Sequence, residues 1–219
     1  MSRPNLPGIY VDNYPREYQA YNTQYAGQIE SIGWKWWDTQ TYVSGTTTAL
    51  TNFFNVRATP DLSNMEVAFQ LAAPKAFLIR AVRFFLKTRP LVVTPAGVSG
   101  AAVGVFDNIA QLINAGVMTL TIGNKSYDLE PLWCLTAGGG AAGAMAMAGG
   151  VAANAFNYID YAQNGIADPR AVNTLSKPLF IGPQINFNAR IDWDVAKTLQ
   201  GGNVTVCLLL DGDLLRPVQ

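Results

Sequence analysis

The groups in this chain able to do chemistry are carboxylates, thiols and indoles, because histidine is absent from all 219 residues. Without imidazole the usual general base near neutral pH, the Ser-His and Cys-His nucleophile pairs and the preferred zinc ligand are missing. Carboxylate pairs remain. Asp192 and Asp194 lie two apart in a strand-like run, which places both on one sheet face, and Asp211 and Asp213 flank Gly212. Such pairs could serve a glycosidase or hold calcium. A solvated strand face and a turn are the plainer explanation, since neither pair lies in a recognisable ligand loop. Cys134 and Cys207 have no metal-ligand spacing and sit in apolar runs, as small core residues do. They can bridge only if the strands carrying them meet. The glycines of 136–155 are not followed by Lys-Ser or Lys-Thr, which argues against a phosphate cradle. No catalytic residue, metal site or cofactor is expected, and the chain reads as a non-enzyme.

Aromatic residues carry more information. Trp34, Trp36 and Trp37 follow one another closely; such a cluster stacks sugars or bases, plugs the end of a sandwich or anchors an interface. Tyr14, Tyr18, Tyr21 and Tyr25 recur at helical spacing, with Pro15 suited to a first turn and Gly27 to a stop. This predicts a short helix whose tyrosine stripe packs on the chain's own core or, as the sharper alternative, forms an arm across a neighbouring subunit.

The elements that must position these residues are mostly strands. Ile185 to Asp194 is apolar at every odd position and polar or charged at every even one, the period of a strand with one face on a core. Strand character is also read over 41–48, 50–57, 65–71, 77–87, 178–182 and 203–210, with 214–218 as an edge and Gly201, Gly202 and Gly212 as turn residues. Val117 to Ile122 and Lys125 to Leu129 flank Gly123-Asn124, a hairpin turn. A short helix is predicted over Asp107 to Ala115, and 136–155, rich in Gly and Ala, reads as a surface loop. Arg80 and Arg83 interrupt an otherwise apolar strand and are candidates for paired contacts at an interface. Two regions follow: an aromatic N-terminal arm, 1–40, and a β domain, 41–219.

Lys plus Arg equals Asp plus Glu at 15 each, so the formal net charge is zero and strong direct nucleic-acid binding has no bulk driving force. Only 14% of residues are charged while 49% are hydrophobic, which favours a surface covered by partners over a solitary monomer. The first residues lack the apolar core of a secretory signal, so synthesis in a cytoplasm is expected. Membrane contact is not expected; 136–155 is the segment through which it would occur.

The organisation resembles the single jelly-roll coat proteins of icosahedral viruses, those of bacteriophages especially. The features in common are the aromatic N-terminal arm, the strand segments from Thr41 to Val218, the small helix near Asp107, long small-residue loops and the ending Leu-Leu-Leu-Asp-Gly-Asp-Leu-Leu-Arg-Pro-Val-Gln. The resemblance implies an all-β, antiparallel jelly-roll β-sandwich of two four-stranded sheets, with a short inserted helix and an arm. It implies a capsid or capsid-associated subunit, made in the host cytoplasm and placed in the virion. Its partners would be copies of itself and a further virion protein, with Tyr14, Tyr18, Tyr21, Tyr25, Trp34, Trp36, Trp37, Arg80 and Arg83 as contact candidates. The alternative is a tail- or spike-associated carbohydrate-binding β-sandwich module using the tryptophans.

Overall fold

The computed structural model describes residues 14–25, 28–87, 105–136, 142–149, 156–163, 174–199 and 202–218. Two antiparallel four-stranded sheets pack against each other as an all-β sandwich. The first sheet runs β1 (Ile29–Tyr42), β10 (Val204–Pro217), β3 (Ala76–Lys87), β8 (Thr174–Ile181). The second runs β2 (Ala49–Leu50), β9 (Phe187–Trp193), β4 (Gly116–Ile122), β5 (Lys125–Pro131). The ladders are nested. β1 pairs with β10, β2 with β9, β3 with β8 and β4 with β5, as if one long hairpin had been folded over. A separate ribbon of β6 (Ala142–Gly149) and β7 (Phe156–Gln163) is inserted between β5 and β8.

Alternation decides which side chains meet between the sheets. Trp36 and Tyr42 from β1, Leu208 and Leu210 from β10, and Ile79 and Phe84 from β3 face Met118, Leu120, Ala189 and Ile191 from the second sheet in one buried cluster. Tyr42 and Trp193 cross the gap edge to face, with centroids 4.9 Å apart. Trp193 also donates its indole N–H to the Leu112 carbonyl at 2.9 Å. That bond ties helix α2 (Val105–Ala115) to the core. The one-turn helix α3 (Leu132–Leu135) adds Leu132 and Leu135.

The predicted strand over Ile185 to Asp194 is β9, with inward positions buried from Phe187 to Trp193. The hairpin on Gly123-Asn124, the apolar strand at 77–87 and the helix near Asp107 are all present. Helix α1 (Arg16–Gln24) begins after Pro15 as its spacing indicates; Gly27 lies outside the described residues.

Four expectations are corrected. β1 starts at Ile29 and pairs with β10 along its whole length, so the sheet begins well inside the segment read as an arm ending at 40. Of the strands read over 41–48, 50–57 and 65–71, only Thr41 and Tyr42 in β1 and Leu50 in β2 lie in a sheet, and the rest belong to an irregular connection around the two-residue β2. Phe53, Phe54, Met65 and Leu71 are buried from this connection, so apolar composition there reflects core burial without a ladder. Residues 142–149, expected in a loop, form β6, because cross-strand pairing with β7 overrides the poor strand propensity of Gly and Ala. Finally, Gly212 is not a turn residue. It lies within β10 at a register shift, where a Cβ would stand 2.0 Å from the Leu78 carbonyl oxygen.

The connection after β2 is organised by Asp38. This carboxylate is fully buried and accepts backbone N–H bonds from Phe54 at 2.8 Å, Asn55 at 3.1 Å and Thr39 at 2.8 Å. Arg57 grips it with Nε and Nη2, each at 2.8 Å. The hydrogen bonds that Arg57 donates to Asp38 hold its guanidinium above the ordinary pKa. Asn52 and Phe54 have φ of 66° and 70°, a region costly for side chains, so the carboxylate fixes a strained turn.

Candidate functional site

The outward face of the first sheet gathers most of the singled-out residues. At its lower end α1 lies across the sheet. Tyr21 packs with Ala76, Leu78 and Leu215, while Tyr14, Tyr18, Tyr25 and Phe180 border this cluster. The stripe thus packs on the chain's own sheet, the simpler of its two readings. Tyr21 donates its hydroxyl to the Pro74 carbonyl at 2.6 Å; burial and then the neighbouring Tyr25 push its pKa up to about 12. Tyr14 stacks on Tyr18 with centroids 4.7 Å apart. Burial is also the main cause that raises the pKa of Tyr18.

Beyond the helix, the register of β10 on β3 joins the arginines to the paired carboxylates. Arg80 donates to Asp213 at 2.6 Å, and Arg83 to Asp211. Burial draws the Arg80 pKa down, but bonds to Asp213 and Tyr14 outweigh it and the net displacement is upward. Arg83 Nε is buried and has no hydrogen-bond partner among the described residues. Next to Arg83 in register stands Leu209, and next to that Trp37; one row further come Phe85 and the buried Cys207. Phe85 is 43% exposed.

The three tryptophans do not form one platform. Trp34 and Trp36 share a face of β1, with centroids 6.0 Å apart, and Trp37 points to the other. Trp36 is core, its indole N–H buried with no partner among the described residues, whereas Trp34 is 43% exposed. Tyr21 and Trp36 are therefore turned inward as contact candidates, while Trp34, Trp37, Arg80 and Arg83 remain on the surface or half-buried.

The second sheet presents a different exterior. Thr119 bonds Asp128 at 3.2 Å, Thr121 meets Ser126 at 3.3 Å, and Arg190 clasps Asp192 at 2.6–2.8 Å. Asp194, just past the strand, accepts from Lys197 at 2.6 Å, which with the Val195 N–H lowers its pKa. All four singled-out carboxylates are thus engaged by cations, and Asp192 and Asp194 have different ones. Cys134 and Cys207 are not joined in a disulfide; Cys207 is buried, and Cys134 is half-buried. Among the described residues no group of three or more Cys, Asp or Glu could hold a metal ion.

A groove of about 590 Å³ lies between α1 and the β4–β5 hairpin. Ile122, Leu179, Phe180 and Ile185 supply its apolar wall, and Glu17 and Lys125 form an ion pair at 3.2 Å on its rim. It depends on how α1 sits on the sheet, which no local pattern encodes.

No helix among the described residues is long and apolar enough to cross a membrane. No protein-family model, curated protein or solved structure matches the chain.

Proposed function

We propose that the chain is a bacteriophage structural protein, a capsid or capsid-associated subunit whose work is self-association within the virion. The observation that carries this is the nested strand order. With the β6–β7 ribbon set aside, the first strand pairs with the last, the second with the next to last, and so inward to β4 and β5. Rolling such a folded hairpin produces two interleaved Greek keys, the jelly roll found in viral capsid and lectin domains.

Between those two uses, the surface favours assembly. A glycan platform needs coplanar aromatic faces, and here Trp37 is separated from Trp34 by the sheet. An assembling subunit needs apolar area outside its core, and Trp34, Phe85 and Trp133 supply it at 43, 43 and 56% exposure. The face offered to neighbours is the outside of the first sheet beyond α1, where Trp37, Leu209 and Phe85 adjoin the Arg83–Asp211 pair. Apolar burial of about 25 cal/mol per Å² drives the contact, against the cost of ordering two bodies.

Light scattering on a sizing column, with electron microscopy of each peak, tests this. Trimers, pentamers, hexamers or closed shells are expected. A monomer at every concentration, with tryptophan fluorescence quenched by glycans, would replace assembly by carbohydrate recognition.

A further inference from the structure

We propose that the first half of β1, Ile29 to Gly33, is an edge through which two copies of the chain pair, antiparallel and about a two-fold axis at Ser31, joining their first sheets into one. The inference rests on the self-association proposed above and names a strand that carries it. β1 is outermost in the first sheet, and the backbone groups of alternate residues point away from β10. In the second half of the strand the connection after β2 takes them up. Asn64 donates its backbone N–H to the Trp37 carbonyl at 3.2 Å and its side-chain amide to the Lys35 carbonyl at 2.7 Å, while its Oδ1 accepts the Trp37 N–H at 2.8 Å. By the same alternation Ile29, Ser31 and Gly33 turn their N–H and C=O groups to that side. Among the described residues nothing bonds them there.

The opposite edges are guarded. Among the described residues β8 pairs only with β3, and β5 only with β4. β8 carries the exposed Lys177 followed by Pro178, which has no N–H to offer, and β5 carries Lys125, Asp128 and Glu130, all exposed. Charges and proline are what keep sheet edges from joining. The first half of β1 has Glu30 as its single charge, and Arg216 engages it at 2.7 Å. An open edge without such a guard suits an added strand.

The strand that fits this edge is the same strand of a second copy. With Ser31 opposite its counterpart, Ile29 falls opposite the partner's Gly33 and Glu30 opposite the partner's Ile32, so no like charges face each other. Among the described residues nothing lies within 4 Å of the position a Cβ would take at Gly33, which leaves room for the partner's Ile29. Trp34, 43% exposed, adjoins the pairing segment and gains cover from the second copy.

A cross-link in the full-length chain tests the pairing. With Cys134→Ser and Cys207→Ala removing the native thiols, Ser31→Cys is introduced and the protein is mildly oxidised. Residues opposite each other in a hydrogen-bonded antiparallel pair have Cα atoms about 5.5 Å apart, within reach of a disulfide. A dimer band on a non-reducing gel is expected. It should be absent when Lys35→Cys replaces Ser31→Cys, because this register holds the two copies of Lys35 more than roughly 20 Å apart. It should also be lost when Gly33→Lys is added to Ser31→Cys, since the new side chain occupies the space for Ile29. A second measurement needs no thiol. Ser31→Pro removes an N–H that no described residue accepts, a change that edge strands tolerate, so the assembled mass should fall while the circular dichroism stays unchanged. Assembly in light scattering without the Ser31→Cys bond, or a bond indifferent to Gly33→Lys, would overturn the pairing and leave self-association standing. A monomer at every concentration would remove both.

Discussion

Asp38 and Tyr21 are the two side chains whose bonding most directly joins separate parts of the chain. Asp38→Ala removes the acceptor for three buried or half-buried backbone N–H groups and leaves Arg57 without its partner. The expected loss is about 3 kcal/mol, seen as a lower urea midpoint by tryptophan fluorescence, with Asp38→Asn intermediate. Tyr21 gives a pH signature. Its folded pKa is raised from the ordinary 10 to about 12, so between those values the unfolded chain ionises while the folded one resists. Stability should be unaffected below pH 10 and fall between pH 10 and 12, by roughly 1.4 kcal/mol per pH unit at most. Tyr21→Phe should flatten that decline while costing about 1 kcal/mol at neutral pH through the lost bond to Pro74. The tyrosine stripe was legible from its spacing. Asp38 was not, because its role exists only once residues 52–57 fold back onto β1.

Strands differ in how much backbone space they leave, and two glycines in neighbouring strands show it. Gly212 of β10 stands so close to Leu78 that an added methyl would meet backbone, and neither strand can yield without breaking the ladder. Among the described residues nothing lies within 4 Å of the position a Cβ would take at Gly33 of β1. Gly212→Ala should therefore cost more than about 3 kcal/mol or prevent folding, while Gly33→Ala should stay within about 0.5 kcal/mol; denaturation midpoints separate them. Sequence alone gave Gly212 to a turn, since its flanking aspartates look the same in either setting. β9, the β4–β5 hairpin and both longer helices were legible because their periods are local. β1 was hidden by its mixture of tryptophans with charged and polar residues, and β6 by its alanines and glycines. The pairing of Arg80 and Arg83 with Asp213 and Asp211 needed the register of β3 on β10, a long-range quantity.

At the scale of the whole molecule, the proposed self-association can be tested on the exposed face of the first sheet. Phe85→Glu, on the exposed face of the first sheet, should lower the assembled mass while leaving the circular dichroism unchanged. A zero formal charge means that copies do not repel at long range. Assembly should therefore persist from low salt to molar salt, where the screening length is about 3 Å, as light scattering would show. The nested ladders bear on the birth of the protein as well. Ile29 pairs with Pro217 and Tyr42 with Val204, so β1 leaves the ribosome long before its partner is made, roughly ten seconds at ordinary elongation rates. Until then β3 also lacks its central neighbour β10. Completion of the first sheet thus waits until residues 204–217 have been made, and any product that stops before residue 204 leaves β1 and the apolar β3 with no strand between them, a substrate for chaperones or aggregation.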